Sequence, residues 1–242
     1  MPKFKDRIIH KQFASTLVIK RALHAKPWLS SFCYDVPMIE PIENSLAFPA
    51  LQTSRKSGDE HFSLSGESLE LQLSGFWQWS ASDLVSNATR GVLAEFLVTS
   101  ALGLADGVRN QWDAFDILLA DGTRIEVKSA AYLQSWAHAK LSNIVFTIRP
   151  TLAWSSKTSQ LSSELRRQAD IYVFCLLDHR EKATLDPMRL EQWTFYLLRS
   201  SVLDERFPTQ KTISLSGLLK LSPVEATFEN LAERVAELAH EK

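Results

Sequence analysis

The sequence predicts an α/β domain in which a mixed sheet is flanked by helices, and three observations lead to this prediction. Residues Ser82–Gly103 have the apolar periodicity of one long helix. Asp121-Gly122 separates two short apolar segments, which is the pattern of a β-hairpin. Residues Ile171–Leu177 are continuously apolar, as is typical of a strand that is buried on both faces.

The composition favours one globular domain with a single sizeable core. The chain has 242 residues, of which 45% are hydrophobic and 23% charged, and this excludes disorder throughout. A net charge of −1 argues against a polybasic protein that coats nucleic acid, so a nucleic-acid site must be a local patch. The two cysteines do not form a zinc motif or a disulfide framework, which fits a reducing cytosol.

The N-terminal quarter differs in composition from the rest of the chain. Five of the nine prolines lie in residues 1–49, and the first glycine is Gly58. We therefore predict an N-terminal extension over residues 1–65 and the main domain over residues 66–242. Residues 1–30 carry seven basic residues and one acidic residue, which indicates a basic arm or a transit peptide. We find no apolar run long enough to cross a bilayer and no secretory signal, and we expect a cytoplasmic protein without membrane contact.

The main domain is predicted to contain two further helices and five further strands. The last helix begins at a capping box formed by Ser222, Pro223 and Glu225, and glutamates recur along it at every fourth residue. That acidic row indicates a solvated face or, alternatively, a docking surface. The other helix is predicted at Ser159–Gln168, and the strands at Leu69–Trp77, Trp112–Leu119, Arg124–Ala130, Asn143–Ile148 and Trp193–Leu198.

Ionisable residues concentrate around the predicted hairpin. Side chains alternate along a strand, so Glu126 and Lys128 lie side by side on the face opposite Ile125 and Val127. A two-residue loop would pair Asp116 with Val127, whereas a three-residue loop with Gly122 in a left-handed conformation pairs Asp116 with Glu126. We predict the three-residue loop. Facing carboxylates repel each other unless a cation lies between them, and a hard divalent cation is the natural candidate.

Glu95 is the only charged residue in the run from Val92 to Leu104. Burying an unpaired carboxylate costs several kcal/mol, so Glu95 needs a partner. Either Arg90 or an arginine elsewhere forms an ion pair with it, or Glu95 shares a metal site with Asp116 and Glu126.

These residues resemble the PD-(D/E)XK nuclease superfamily, which has the restriction-endonuclease-like fold. An aspartate followed by Glu-x-Lys on the next strand stands here as Asp116 and then Glu126-Val127-Lys128, and Glu95 matches the helix glutamate of many members. The resemblance covers roughly residues 87–198, although the proline that often precedes the aspartate is absent.

The resemblance implies an αβββαβ core and metal-dependent hydrolysis of phosphodiester bonds in DNA. It implies Mg²⁺, with Mn²⁺ as a substitute, held by Glu95, Asp116, Glu126 and the Val127 carbonyl, while Lys128 orients the attacking water. A homodimer is expected by analogy with superfamily members. Candidate nucleic-acid contacts flank the motif at Arg124, Ser129, Tyr132 and Gln134.

Alternatives to this interpretation remain open. Glu126 and Lys128 also fit an ordinary surface salt bridge on a hairpin, and Asp113 competes with Asp116 for the role of the first aspartate. The same fold serves in proteins that bind nucleic acid without catalysis. A partner-binding protein that uses the aromatic segment Phe76-Trp77-Gln78-Trp79 is the third hypothesis.

Overall fold

A five-stranded mixed sheet forms the centre of the structure, a computed structural model that describes residues 48, 50–155 and 158–240. The strands follow the order β11-β9-β8-β4-β3, in which β4 and β8 are parallel and the other neighbours are antiparallel. This sheet confirms the predicted α/β class with a mixed sheet. The five strands are β3 at Ile117–Leu118, β4 at Arg124–Ala131, β8 at Ile171–Leu177, β9 at Trp193–Arg199 and β11 at Val224–Ala226.

Most of the predicted N-terminal extension, residues 1–65, lies outside the described residues. Its boundary with the domain at residues 66–242 therefore stays a prediction. None of the helices in the described part of the chain is long and apolar enough to cross a membrane.

Strand β8 is the centre of the core because all seven of its residues are buried. Alternate side chains of β4, β8 and β9 point to opposite faces, so the sheet carries a hydrophobic cluster on each face. Ile125 and Val127 belong to one cluster, while Ala130 belongs to the other. The central location of β8 agrees with its continuously apolar sequence.

Helix α2, Asn87–Ala101, covers one face of the sheet and confirms the predicted long helix with narrower bounds. Ser86 rather than Ser82 caps it, because the Ser86 hydroxyl accepts a hydrogen bond from the Thr89 N–H. Gly103 follows the last turn with φ +69°. The remaining helices are α1 at Leu73–Ala81, α3 at Ser200–Arg206, α4 at Leu215–Leu219 and α5 at Leu231–His240.

Three two-stranded sheets lie outside the central sheet. The pairs are β1 (His61–Leu64) with β2 (Glu67–Gln72), β5 (Val145–Thr147) with β10 (Thr212–Ser214), and β6 (Thr151–Ser155) with β7 (Gln160–Arg166). The strand predicted at Asn143–Ile148 is confirmed only in its centre, which forms β5. The strand predicted at Trp112–Leu119 is confirmed only near its C-terminal end, which forms β3.

The predicted helix at Ser159–Gln168 is wrong, because this segment forms strand β7 and pairs with β6. Leu161 and Leu165 have helical spacing, yet both are exposed. A helix in this segment would therefore gain no stability from packing against a core. The Ser162 hydroxyl instead accepts a hydrogen bond from the Ala153 N–H across the hairpin.

The strand predicted at Leu69–Trp77 ends at Gln72, and its aromatic end belongs to α1. Gly58 has φ +101°, and a Cβ on it would lie 2.9 Å from the Trp77 ring. The ring therefore packs against the bare backbone of Gly58, a contact that a sequence pattern does not reveal.

The start of the predicted C-terminal helix is also wrong. Ser222 has φ +52° and caps no helix, and the residues that follow it form β11 on the edge of the central sheet. Helix α5 begins only at Leu231, so the row of glutamates is split between a strand, a turn and a helix. Leu231, Val235 and Leu238 of α5 are buried in the core.

The three-residue loop Ala120-Asp121-Gly122 between β3 and β4 is confirmed. The Leu119 N–H donates to the Thr123 carbonyl at 2.9 Å, and Gly122 has φ +88°. Ile117 pairs with Ile125, and the same register places Asp116 opposite Glu126. The loop therefore brings together the two carboxylates that the sequence singled out.

We expect Gly122→Ala to lower the free energy of unfolding by about 1 kcal/mol, because a Cβ is strained at positive φ. Gly91→Ala, in the interior of α2 with open space around it, should raise it by about 0.5–1 kcal/mol. Urea unfolding of both variants checks the pair. A Gly122→Ala variant as stable as Gly91→Ala would contradict the constraint on the loop.

Candidate active site

Asp116 is fixed at the end of β3 by two backbone contacts with β4. Its N–H donates to the Ile125 carbonyl at 3.0 Å, and its Oδ2 accepts from the Val127 N–H at 2.7 Å. The N–H and C=O of one residue point to the same side of a strand, so the Val127 carbonyl also points toward Asp116. A carboxylate and a carbonyl oxygen thus face the same space.

The carboxyl group of Asp116 is an unusual acid. Its pKa is raised to about 7, mainly by burial and secondly by the charge of the nearby Glu126 carboxylate. Lys128 and the hydrogen bond from Val127 act in the opposite direction without cancelling these effects. The register places the Asp116 and Glu126 carboxylates opposite each other, and their negative charge is only partly compensated.

Glu126 and Lys128 form an ion pair through Glu126 Oε1 and Lys128 Nζ. Their side chains are only 20% and 26% exposed, so the alternative of an ordinary surface salt bridge does not describe them. Both line a cavity of about 290 Å³ together with Arg149, Gln168 and Tyr172. Burial and, after it, the Glu126 charge raise the pKa of the Tyr172 hydroxyl.

Glu95 on α2 has an arginine partner, but it is Arg109 and not Arg90. Both carboxylate oxygens of Glu95 accept from the Arg109 guanidinium, one of them at 2.8 Å. The two side chains and Asp116 line a second cavity, of about 420 Å³. Sequence reasoning missed Arg109, because nothing in a loop fourteen residues away indicates that it folds back onto the helix.

The donor set suits a hard divalent cation. Carboxylate and carbonyl oxygens are the ligands that Mg²⁺ prefers, and Mg²⁺ commonly uses only one or two protein carboxylates together with substrate phosphates. In the described part of the chain no three His, Cys, Asp or Glu side chains converge closely enough to hold a metal ion. Asp116 and Glu126, with the Val127 carbonyl, therefore fit such an ion as a two-carboxylate set.

The competing aspartate, Asp113, is exposed and lies three residues before Asp116. Two contacts of Asp116 with β4 hold that residue in place, and no comparable contact of Asp113 is found among the described residues. The structure therefore places Asp116 next to Glu126 and leaves Asp113 outside the pair.

Two of the four candidate nucleic-acid contacts share a cavity, and the other two do not line it. Arg124 binds Asp170 through two bonds of 2.6 and 2.9 Å, which compensates its charge. Gln134 is only 7% exposed, and the Tyr132 ring lies 4.3 Å from the Arg180 guanidinium carbon. Ser129 and Gln134 line the same polar cavity near the end of β4. Their role in nucleic-acid binding stays a prediction.

An α/β domain with two facing, partly buried carboxylates and a neighbouring lysine has the features of a nuclease. The sequence model of bacteriophage T4 endonuclease IV matches residues 73–217, which is more than half of the chain. The chain therefore belongs to the bacteriophage T4 endonuclease IV family, a family of nucleases. No curated protein and no solved structure matches it.

The matched range contains all four candidate catalytic residues, namely Glu95, Asp116, Glu126 and Lys128. Membership of a nuclease family confirms the predicted class of enzyme.

In the presence of a chelator, the stability of the protein should depend on the ionisation of Asp116. The pKa of about 7 in the folded state lies above the value near 4 of an unfolded chain. This group therefore stabilises the fold fully below about pH 4, and its contribution is lost as the pH rises to about 7. The Asn side chain of Asp116→Asn cannot ionise. At pH 8 the free energy of unfolding of this variant should therefore exceed that of the wild type by a few kcal/mol, and the difference should shrink toward pH 5.

Urea unfolding between pH 5 and pH 8 measures this difference. The matched control is Asp113→Asn, which changes an exposed aspartate three residues away and should leave the pH dependence of the wild type unaltered. Parallel stability curves for Asp116→Asn and the wild type would contradict the burial and repulsion argued for Asp116.

Proposed function

We propose that the protein is a metal-dependent nuclease of the PD-(D/E)XK type that hydrolyses phosphodiester bonds in DNA. The observation that carries this proposal is the register of β3 and β4, which places Asp116 opposite Glu126 and lets the Asp116 carboxylate accept from the Val127 N–H. Burial and, after it, the Glu126 charge raise the pKa of Asp116 to about 7. Such a pair is costly unless a cation compensates it. The nuclease family of the chain supports the same reaction.

Asp116 and Glu126, with the Val127 carbonyl, would hold the Mg²⁺ or Mn²⁺ ion. The bound ion supplies an activated water and neutralises the charge that develops on the phosphate. The three oxygen donors come from two neighbouring strands whose register is fixed by the loop at Gly122. The ligands are therefore preorganised, and little rearrangement is needed when the ion binds.

Lys128 is the proposed cationic residue of the reaction. Its Nζ contacts Glu126, and its side chain lines the cavity of about 290 Å³. From this position the ammonium group would orient the attacking water and stabilise the negative charge that develops on the phosphate oxygens. A lysine suits this role because its three N–H donors rotate freely toward water, phosphate and carboxylate.

Glu95 would reach the ion only after releasing Arg109. The pair holds the guanidinium beside Asp116, and the Glu95 carboxylate raises the pKa of Arg109. An incoming phosphate competes with Glu95 for Arg109, since arginine binds both groups through paired hydrogen bonds. In our proposal the substrate strand draws Arg109 away, and Glu95 then completes the metal site.

Lys128→Ala should reduce the rate of metal-dependent DNA cleavage by at least about 100-fold, because it removes the group that stabilises the developing charge. Cleavage of supercoiled plasmid and of single-stranded DNA, in Mg²⁺, in Mn²⁺ and in chelator, measures this rate. Lys140→Ala, which removes an exposed lysine, is the matched control and should cleave as the wild type does.

Equal cleavage by the wild type and Lys128→Ala would refute the role of this lysine. A Lys128→Ala variant that shows no cooperative thermal unfolding transition would instead indicate that Lys128 is needed for folding. Cleavage by none of the three proteins would favour a protein that binds nucleic acid on this fold without catalysis.

Metal binding should be visible without any substrate. Mg²⁺ or Mn²⁺ at millimolar concentration should raise the melting temperature of the wild type, because the ion binds the folded state and relieves the repulsion between the carboxylates. Asp116→Asn should lose most of this increase, whereas Asp113→Asn should keep it. An identical response of the two variants would exclude Asp116 as a ligand.

A further inference from the structure

The polar cavity that Ser129 lines has a volume of about 270 Å³ and lies where α2 begins and β4 ends. Six polar side chains line it, and neither an aspartate nor a glutamate is among the lining residues. The six are Asn87, Arg90, Ser129, Gln134, Ser142 and Asn143. We call it the α2 pocket. The pocket contains none of the residues proposed above for catalysis.

Arg90 is a buried cation without a carboxylate partner in the described part of the chain. Its side chain is folded back over the start of its own helix, where Nη1 donates to the Val85 carbonyl at 2.9 Å and Nη2 to Asn87 Oδ1 at 2.8 Å. The residue is 4% exposed, and Nε has no partner among the described residues. Burial lowers the pKa of Arg90, and no described carboxylate opposes that effect.

The start of α2 adds a second positive feature at the same place. The first-turn N–H groups of a helix lack partners within the helix and carry about half a positive charge. A guanidinium beside them experiences repulsion and pays for its own desolvation, so the arrangement is unfavourable as it stands. An anion bound in the pocket would offset both costs.

Gln134 supplies an independent indication of a ligand, because it comes from another element of the fold. It is 7% exposed, and its Nε2 donates to the Ala131 carbonyl at 3.2 Å and to Ser142 Oγ at 3.1 Å. Its Oε1 has no partner among the described residues. The pocket therefore offers cationic donors and one free acceptor, a combination that fits the phosphate and an N–H group of a nucleotide.

The α2 pocket lies close to the candidate active site along two elements. Arg90 and Glu95 are five residues apart on α2, about 7.5 Å along the helix axis. Ser129 and Val127 are two residues apart on the same face of β4, about 7 Å along the strand. These distances correspond to no more than about three nucleotides of a stacked strand.

We propose that the α2 pocket binds an internal phosphate group of the nucleic-acid strand that the enzyme cleaves, a few nucleotides from the scissile bond. The assignment of this strand as substrate rests on the proposed function, whereas the binding of a phosphate to the pocket does not. Arg90 and the start of α2 hold the phosphate, and Asn143 lies at the exposed rim of the pocket.

Binding of inorganic phosphate in chelator tests the pocket without metal or catalysis. Phosphate at constant ionic strength should raise the melting temperature of the wild type. Asn143→Asp places a negative charge at the rim and should weaken phosphate binding by about tenfold or more. Asn230→Asp is the matched control: it makes the same chemical change at a residue that does not line the pocket, and its carboxylate can still accept from the Thr227 N–H.

The proposed site would be refuted if phosphate did not raise the melting temperature of the wild type, or if it raised the melting temperatures of the wild type and Asn143→Asp equally. Arg90→Gln provides a second variant that removes the charge itself. It should abolish the phosphate effect while leaving the phosphate-free protein at least as stable as the wild type, because an uncompensated buried charge has been removed.

Affinity for a fluorescent single-stranded oligonucleotide, measured in chelator against salt concentration, tests whether the ligand is part of a strand. Arg90→Gln should bind more weakly, and the slope of log K against log salt should fall by about 0.7, the value for one phosphate contact. A 5′-phosphate on the oligonucleotide should not change the affinity. If only the 5′-phosphorylated oligonucleotide bound tightly, the pocket would be a site for a terminal phosphate, and the proposal of an internal phosphate would be overturned.

The two proposals fail in different ways. A wild type that binds phosphate and oligonucleotide through the α2 pocket but does not cleave DNA would refute the proposed function and leave the pocket standing. Metal-dependent cleavage whose KM is unchanged in Asn143→Asp would refute the contact between the pocket and the substrate and leave the nuclease standing.

Discussion

The hydrogen bond from the Val127 N–H to the Asp116 carboxylate connects the fold to its chemistry. It exists only because a three-residue loop fixes the register of β3 against β4, and a shift of one residue would turn Asp116 to the other face. The parallel pairing of β4 with the fully buried strand β8 then holds this hairpin against the core. Two short strands thus place two carboxylates close together.

The burial of Asp116, opposite Glu126, has an energetic cost that the rest of the domain must offset. A buried aspartate whose pKa lies near 7 destabilises the folded protein at neutral pH relative to an exposed one. The compact core on both faces of the sheet supplies the stability that offsets it. The arrangement is difficult to explain as structural, because an apolar residue at position 116 would avoid the cost altogether.

Local chemistry made much of this site predictable from the sequence. The pairing of Asp116 with Glu126 followed from counting loop residues, and the side-by-side position of Glu126 and Lys128 followed from the alternation of a strand. The contact of Arg109 with Glu95 depends instead on how a loop folds back onto α2. Leu161 and Leu165 had helical spacing without a core to receive them, and Ser222 began a capping box that an edge strand overrode.

Arg90 shows how the burial of a charge extends this reasoning beyond the motif. From the sequence it was a plausible partner for Glu95, yet it lies one and a half turns nearer the start of α2 and has no described carboxylate beside it. An enzyme that handles a polyanion needs cations that its own acids do not neutralise. Lys128 and Arg109 are paired with glutamates, so phosphate must compete for them, whereas Arg90 is available without such competition. This difference suits Arg90 for holding the strand and the two paired cations for responding to it.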